Sequence, residues 1–176
     1  VASIVAVMIL GQALGKIEIP LVFAGIGIIA SILGAFTVRV GKTGNAGRSL
    51  NMGTYITCII FAVLTLITSI YLQYDLRLWG ASVVGLIAGI IIGITSDFFT
   101  SEDKFPVKRT AEAAQTGPAI NIITGYSSGS LSVFPPLIGI ALATTLSYFS
   151  CDTIGPGYAV YGVGMAAVGM LSIVGL

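Results

Sequence analysis

The sequence predicts an all-α fold, a polytopic transmembrane helix bundle of about six spans with the first and last truncated. Three observations predict it. Hydrophobic residues make up 56% of the 176-residue chain and charged residues only 9%, against roughly 25% charged in an average soluble domain. Six apolar runs reach or approach the ~20 residues that cross a hydrocarbon core of about 30 Å. Short polar or glycine-bearing stretches separate those runs. A soluble domain coats itself with polar side chains, and this chain has too few, so lipid must solvate it. Residues 1–176 are therefore expected to form one transmembrane segment of a larger membrane domain.

The expected spans run in order as follows. The first covers residues 1–14 and stops at Gly15-Lys16. The second covers 19–38, with Pro20 in its first turn, where a missing N–H costs nothing. A basic, glycine-bearing loop with Arg39, Lys42 and Arg48 follows. The third covers 52–72 and ends in the turn Gln73-Tyr74-Asp75-Leu76-Arg77. The fourth covers 79–97, with Trp79 placed as an interface anchor. A polar stretch from Ser101 to Gln115 precedes the fifth, a single long, kinked helix over 110–149. Its first half is small and polar, and Pro135-Pro136 each delete a donor and strain the preceding turn. The sixth covers 158–176, after the Gly155-Pro156-Gly157 break. The chain begins at Val1 and ends at Leu176 within apolar runs, and both ends are expected to be cut.

The composition also excludes chemistry. A net charge of +1 gives no basic nucleic-acid footprint and implies no acidic partner. The absence of His removes the commonest general base and metal ligand. Cys58 and Cys151 make neither an evident disulfide nor a zinc site. Stretches Gly25–Ala30 and Gly162–Ala167 spell a dinucleotide fingerprint, but inside apolar helices no phosphate reaches their amides. There is no P-loop, HExxH, EF-hand loop, nucleophile elbow or glycosylation sequon.

Orientation follows from the cations. The loops around Arg39 and Ser101 share one side and hold six of them: Arg39, Lys42, Arg48, Lys104, Lys108 and Arg109. The other side holds Lys16 and Arg77. The positive-inside rule puts the richer side in the cytoplasm.

Three rows of small residues recur at four-residue spacing: Gly85, Gly89 and Gly93; Gly27, Ser31 and Ala35; and Gly117, Asn121, Gly125 and Gly129. Such rows let another backbone approach, the main source of packing in lipid. Helix packing is the favoured reading, and a pore lining the alternative. Asn121 needs hydrogen-bond partners in a bundle, and Thr116, Thr124 and Ser128 are the expected ones. The sharper alternative is a polar group on a water-filled path. Glu18, Asp97 and Asp152 fall at predicted span ends, so the segment is expected to hold no ion pathway of its own.

Several stretches resemble one family. They are Asp97-Phe98-Phe99-Thr100-Ser101, Phe105-Pro106-Val107-Lys108, Thr116-Gly117-Pro118-Ala119-Ile120-Asn121-Ile122-Ile123-Thr124-Gly125, Ser132-Val133-Phe134-Pro135-Pro136, and Tyr161 through Ser172. In this order they resemble the membrane-bound, ion-pumping inorganic pyrophosphatases. Ile120 and Gly164 depart from the family's usual Thr and Ala.

The resemblance implies a homodimer with sixteen helices per subunit in two concentric rings. It makes this segment the end of helix six through most of helix eleven, four outer-ring helices between two inner-ring stumps. It implies hydrolysis of Mg2+-bound pyrophosphate, coupled to moving H+ or Na+ out of the cytoplasm, with K+ as a further cofactor. The membrane would be a prokaryotic plasma membrane or that of an acidic organelle. The family's aspartate- and lysine-rich motifs are absent here, so no catalytic, cofactor-binding or metal residue is carried over. The candidate packing or polar-lining residues are Gly85, Gly89, Gly93, Gly117, Asn121, Thr124 and Gly125. From other classes, a segment of a secondary transporter or channel without hydrolase activity, or a membrane-embedded structural subunit, is the competing reading.

Overall fold

The computed structural model describes residues 2–37 and 46–172. Eight helices follow one another: α1 (Ala2–Ala13), α2 (Glu18–Thr37), α3 (Ala46–Tyr71), α4 (Leu76–Thr100), α5 (Phe105–Thr116), α6 (Pro118–Ser132), α7 (Phe134–Asp152) and α8 (Tyr158–Leu171). No strand occurs among the described residues. Four stretches are long and apolar enough to cross a membrane: Glu18–Phe36, Asn51–Tyr71, Leu76–Thr116 and Pro118–Asp152. Ile4–Ala13 and Tyr158–Leu171 are shorter apolar helices at either end. The pattern is that of an integral, multi-pass membrane protein. Arg39 and Lys42 lie outside the described residues.

Helix ends follow local rules. Gly15, at φ +66°, closes α1: the Lys16 amide donates to the Gly11 carbonyl at 2.8 Å and the Gly15 amide to the Gln12 carbonyl at 3.3 Å. This is the paired bonding that satisfies the last carbonyls of a helix. The end of α3 repeats it with Gln73 at φ +52°, Tyr74 donating to Ser69 at 2.8 Å. Proline opens α5, α6 and α7, where no intrahelical donor is lost.

The expected single helix over 110–149 is corrected. The chain is interrupted at Gly117, whose φ of +138° and ψ of +162° no helix contains. The α5 helix then folds back on α6, so that Thr110 Cγ2 lies 4.0 Å from where a Cβ on Gly125 would stand. In one straight helix those residues would be ~22 Å apart. The second interruption, at Ser132-Val133, is only a kink. Val133 keeps helical angles and its carbonyl accepts from the Leu137 amide at 3.1 Å. Pro135 and Pro136 occupy the first turn of α7 rather than straining the middle of a longer helix.

The core lies around α8, which packs most extensively on α4 and α7. Tyr161 and Met165 of α8 are fully buried with Phe23 of α2, Leu78 of α4, Cys151 of α7 and Val7 of α1. A second cluster joins Ala30, Cys58, Phe61 and Leu86 across α2, α3 and α4. By contrast α6 buries no residue, and α5 only Pro106 and Ala113.

Candidate functional site

The centre of the molecule is α8, held closely on three sides. A Cβ on Gly169 of α8 would run into the backbone of Ser82 on α4, and one on Gly85 of α4 into the backbone of Ala166 on α8. A Cβ on Gly162 would stand 3.0 Å from the Ser147 carbonyl oxygen of α7 and against the Cys151 side chain. One on Gly164 would stand 3.2 Å from Val7 Cγ1 of α1. Each glycine admits a different neighbour, so dispersion contacts replace the hydrophobic burial that lipid does not reward.

At one end of the bundle three turns are tied together. The Tyr161 hydroxyl, on a fully buried ring, donates to the Lys16 carbonyl at 2.7 Å. Lys16 Nζ lies 6.0 Å from the centre of the Tyr74 ring, and Tyr158 meets Tyr161 edge-to-face at 6.4 Å. Arg77 donates to the Thr153 hydroxyl. The α1–α2, α3–α4 and α7–α8 turns thus share one end, as an alternating up-and-down topology requires. Desolvation, and secondarily Glu18, push the Tyr74 phenol above its ordinary value.

The sequence-predicted residues divide. Gly85 is in close interhelical contact, whereas Gly93 is exposed and a Cβ there would meet nothing. Gly89 between them is half-buried. Residues four apart rotate about 40° per step on a 3.6-residue helix, so the row turns away by about 80° at Gly93. On α2 the buried face is Gly27, Ala30 and Gly34, while Ala35 is exposed and Ser31 half-buried. On α6, Asn121, Thr124, Gly125 and Ser128 share the half-buried face and Gly129 is exposed. Gly117 stands outside any helix, at the reversal. The Asn121 carboxamide has no hydrogen-bond partner among the described residues, and the Thr116 hydroxyl donates instead to the Ala113 carbonyl at 2.7 Å. Trp79, expected as an interface anchor, is half-buried and donates its indole N–H to the Ala62 carbonyl of α3 at 3.2 Å.

Two sets escaped the sequence reading. Gly162, Gly164 and Gly169 stand in the Tyr161–Ser172 stretch that carries the family resemblance, but the sequence does not mark them as packing residues. Gly139, Ala143, Ser147 and Cys151 are all buried on α7. Their four-residue spacing was the available signal. This row also rotates, but from α4, where Gly139 faces Ile91, to α8, where Cys151 faces Gly162.

Hydroxyls in the spans mostly bond within their own helices. Thr57, Thr65, Thr68, Ser82, Thr95, Thr144 and Thr145 donate to carbonyls three or four residues back. This satisfies them without water. An apolar groove of about 400 Å³ between α1, α2 and α8 is lined by Ala24, Gly27, Ser31, Val168 and Ser172 among others, with no ionisable side chain. Among the described residues no group of three His, Cys, Asp or Glu could hold a metal ion. The residues present do not fit magnesium, and no reaction step runs through it on this segment.

The profile of the family described as "Inorganic H+ pyrophosphatase" matches residues 1–176. The chain belongs to that family. It is 36% identical over 97% of its length to a K+-insensitive pyrophosphate-energized proton pump 2 of Moorella thermoacetica. It is likewise 36% identical, over 97%, to a K+-insensitive pyrophosphate-energized proton pump of Caldanaerobacter subterraneus. A K+-stimulated pyrophosphate-energized sodium pump of Thermotoga maritima is 30% identical over 90% of this chain. The chain spans only about a quarter of these pyrophosphatases, 27%, 27% and 23% of their respective lengths. The α8 hub and the tied turns thus correspond to about a quarter of the length of these relatives.

Proposed function

We propose that this segment is a supporting wall of a membrane pyrophosphatase that couples hydrolysis of Mg2+-pyrophosphate to transport of H+ or Na+ out of the cytoplasm. The single observation that carries the reading is the full-length family match, with relatives named as pyrophosphate-energized pumps of both ions. The fold is compatible with it. Glu18, Asp97 and Asp152 stand at or near helix ends, and most span hydroxyls bond within their helices, as suits helices that pack rather than conduct.

In this reading α8 guides the chain toward the catalytic machinery, α1, α2, α4 and α7 pack against it, and α3 backs α2 and α4. Magnesium and pyrophosphate would be held by residues outside the segment. K+ dependence and a homodimeric state belong to the same proposal.

The test is the intact parent protein in sealed vesicles with magnesium and pyrophosphate. Phosphate release accompanied by H+ or Na+ movement is expected, with K+ varied in parallel. Ion movement without phosphate release would favour a transporter instead.

A further inference from the structure

We propose that the outward face of α5 is a docking surface for anionic lipid headgroups at the membrane surface where α4 ends. The Ser101 amide bonds to the Asp97 carbonyl at 2.9 Å and the Lys104 amide to the Ser101 carbonyl at 3.1 Å. This tight connection starts α5 within a turn of the apolar span. Pro106 and Ala113 are buried, and Thr110 faces Gly125, so one side of α5 is committed to the fold. At about 100° per residue, Lys104, Phe105, Lys108, Arg109 and Glu112 fall within a ~140° arc on the other side. All five are exposed, Phe105 to 71%.

The three cations on this arc have no ion-pair partner among the described residues. An exposed aromatic ring, Phe105, lies between them on the arc, of the kind that inserts among headgroups. Lys and Arg matched to lipid phosphate around an inserted ring are the elements of an interfacial contact. Glu112 marks the far edge of the patch. Glu102 and Asp103 sit on the connecting turn, off this arc. The occupant is a lipid headgroup, not soluble phosphate.

The inference goes beyond the pump reading, and its test requires no turnover. The intact parent protein is reconstituted in phosphatidylcholine nanodiscs with and without phosphatidylglycerol, and retained phosphatidylglycerol is measured by native mass spectrometry. Each cation is expected to contribute about fivefold in retention, so Lys104→Gln, Lys108→Gln and Arg109→Gln together lose roughly 100-fold. Phe105→Ala lowers retention with all charges intact, and Glu112→Gln raises it. That opposite sign separates recognition from a general disturbance of the hairpin. Equal retention by the triple variant and the unmodified protein would overturn the proposal. So would a fall in retention with Glu112→Gln, or full competition by inorganic phosphate, which would make the face a soluble-anion site.

Discussion

The Tyr161 hydroxyl and the Lys16 carbonyl are 2.7 Å apart across 145 residues of sequence. Lys16 directly follows the left-handed Gly15 that ends α1, so its carbonyl points out of the turn. The Tyr161 ring lies under that turn, 3.1 Å from where a Cβ on Gly11 would stand. Tyr161→Phe keeps the ring and strands the carbonyl, at an expected cost of about 1–3 kcal/mol. Tyr161→Ala also empties a fully buried site, at about 3–5 kcal/mol. Thermal unfolding of the purified parent protein should rank them in that order. Equal stability of Tyr161→Phe and the unmodified protein would mean the bond contributes nothing.

Gly85 and Gly169 sit where α4 and α8 meet backbone to backbone, and neither Ser82 nor Ala166 can move without moving its helix. Alanine at either site should destabilise by about 1–3 kcal/mol through overpacking. Gly93→Ala, with nothing near the added methyl, should stay within about 0.5 kcal/mol. The contrast is measured on the same protein by the same unfolding assay. A matching loss at all three positions would remove the packing argument.

How much of this was legible depended on the signal. Span count and helical class follow from composition and run length, which lipid enforces on every residue of a span. The small-residue rows were legible as a kind but not as positions. Four-residue spacing does not say which neighbour a row will meet, and so Gly85 makes contact while Gly93 does not. The reversal at Gly117 was hidden because Thr-Gly-Pro reads equally as a kink, and only the backbone angles separate the two. The tied turns were out of reach, because a pairing such as Tyr161 with Lys16 is purely tertiary.

Trp79 bridges α4 to α3 through a carbonyl already engaged by Thr65, whose hydroxyl reaches Ala62 O at 3.2 Å. Trp79→Phe keeps an aromatic ring but removes the donor. An expected cost of about 0.6 kcal/mol follows the average for polar contacts between helices in membranes. An interface anchor alone would instead lose depth. The quantity to measure is unfolding free energy, with a depth-dependent quencher of Trp79 fluorescence distinguishing the two roles. Strong quenching by headgroup-level probes, with no loss of stability in Trp79→Phe, would leave the anchor role alone standing.

The α5–α6 hairpin can be tested by cross-linking. Thr110 and Gly125 face each other across the hairpin, Thr110 Cγ2 lying 4.0 Å from where a Cβ on Gly125 would stand, so a cysteine pair there needs only a small adjustment to reach disulfide geometry. Thr110→Cys with Gly125→Cys should therefore oxidise readily. The native Cys58 and Cys151 are buried and should not compete. A continuous helix would hold the pair ~22 Å apart and give no cross-link. The reversal itself depends on Gly117, whose angles lie in a region that side chains avoid. Gly117→Ala should cost about 1–3 kcal/mol and slow the cross-link, because opening the hairpin is the simplest relief. Rapid oxidation in the Gly117→Ala background would show that α5 folds back for reasons other than this residue.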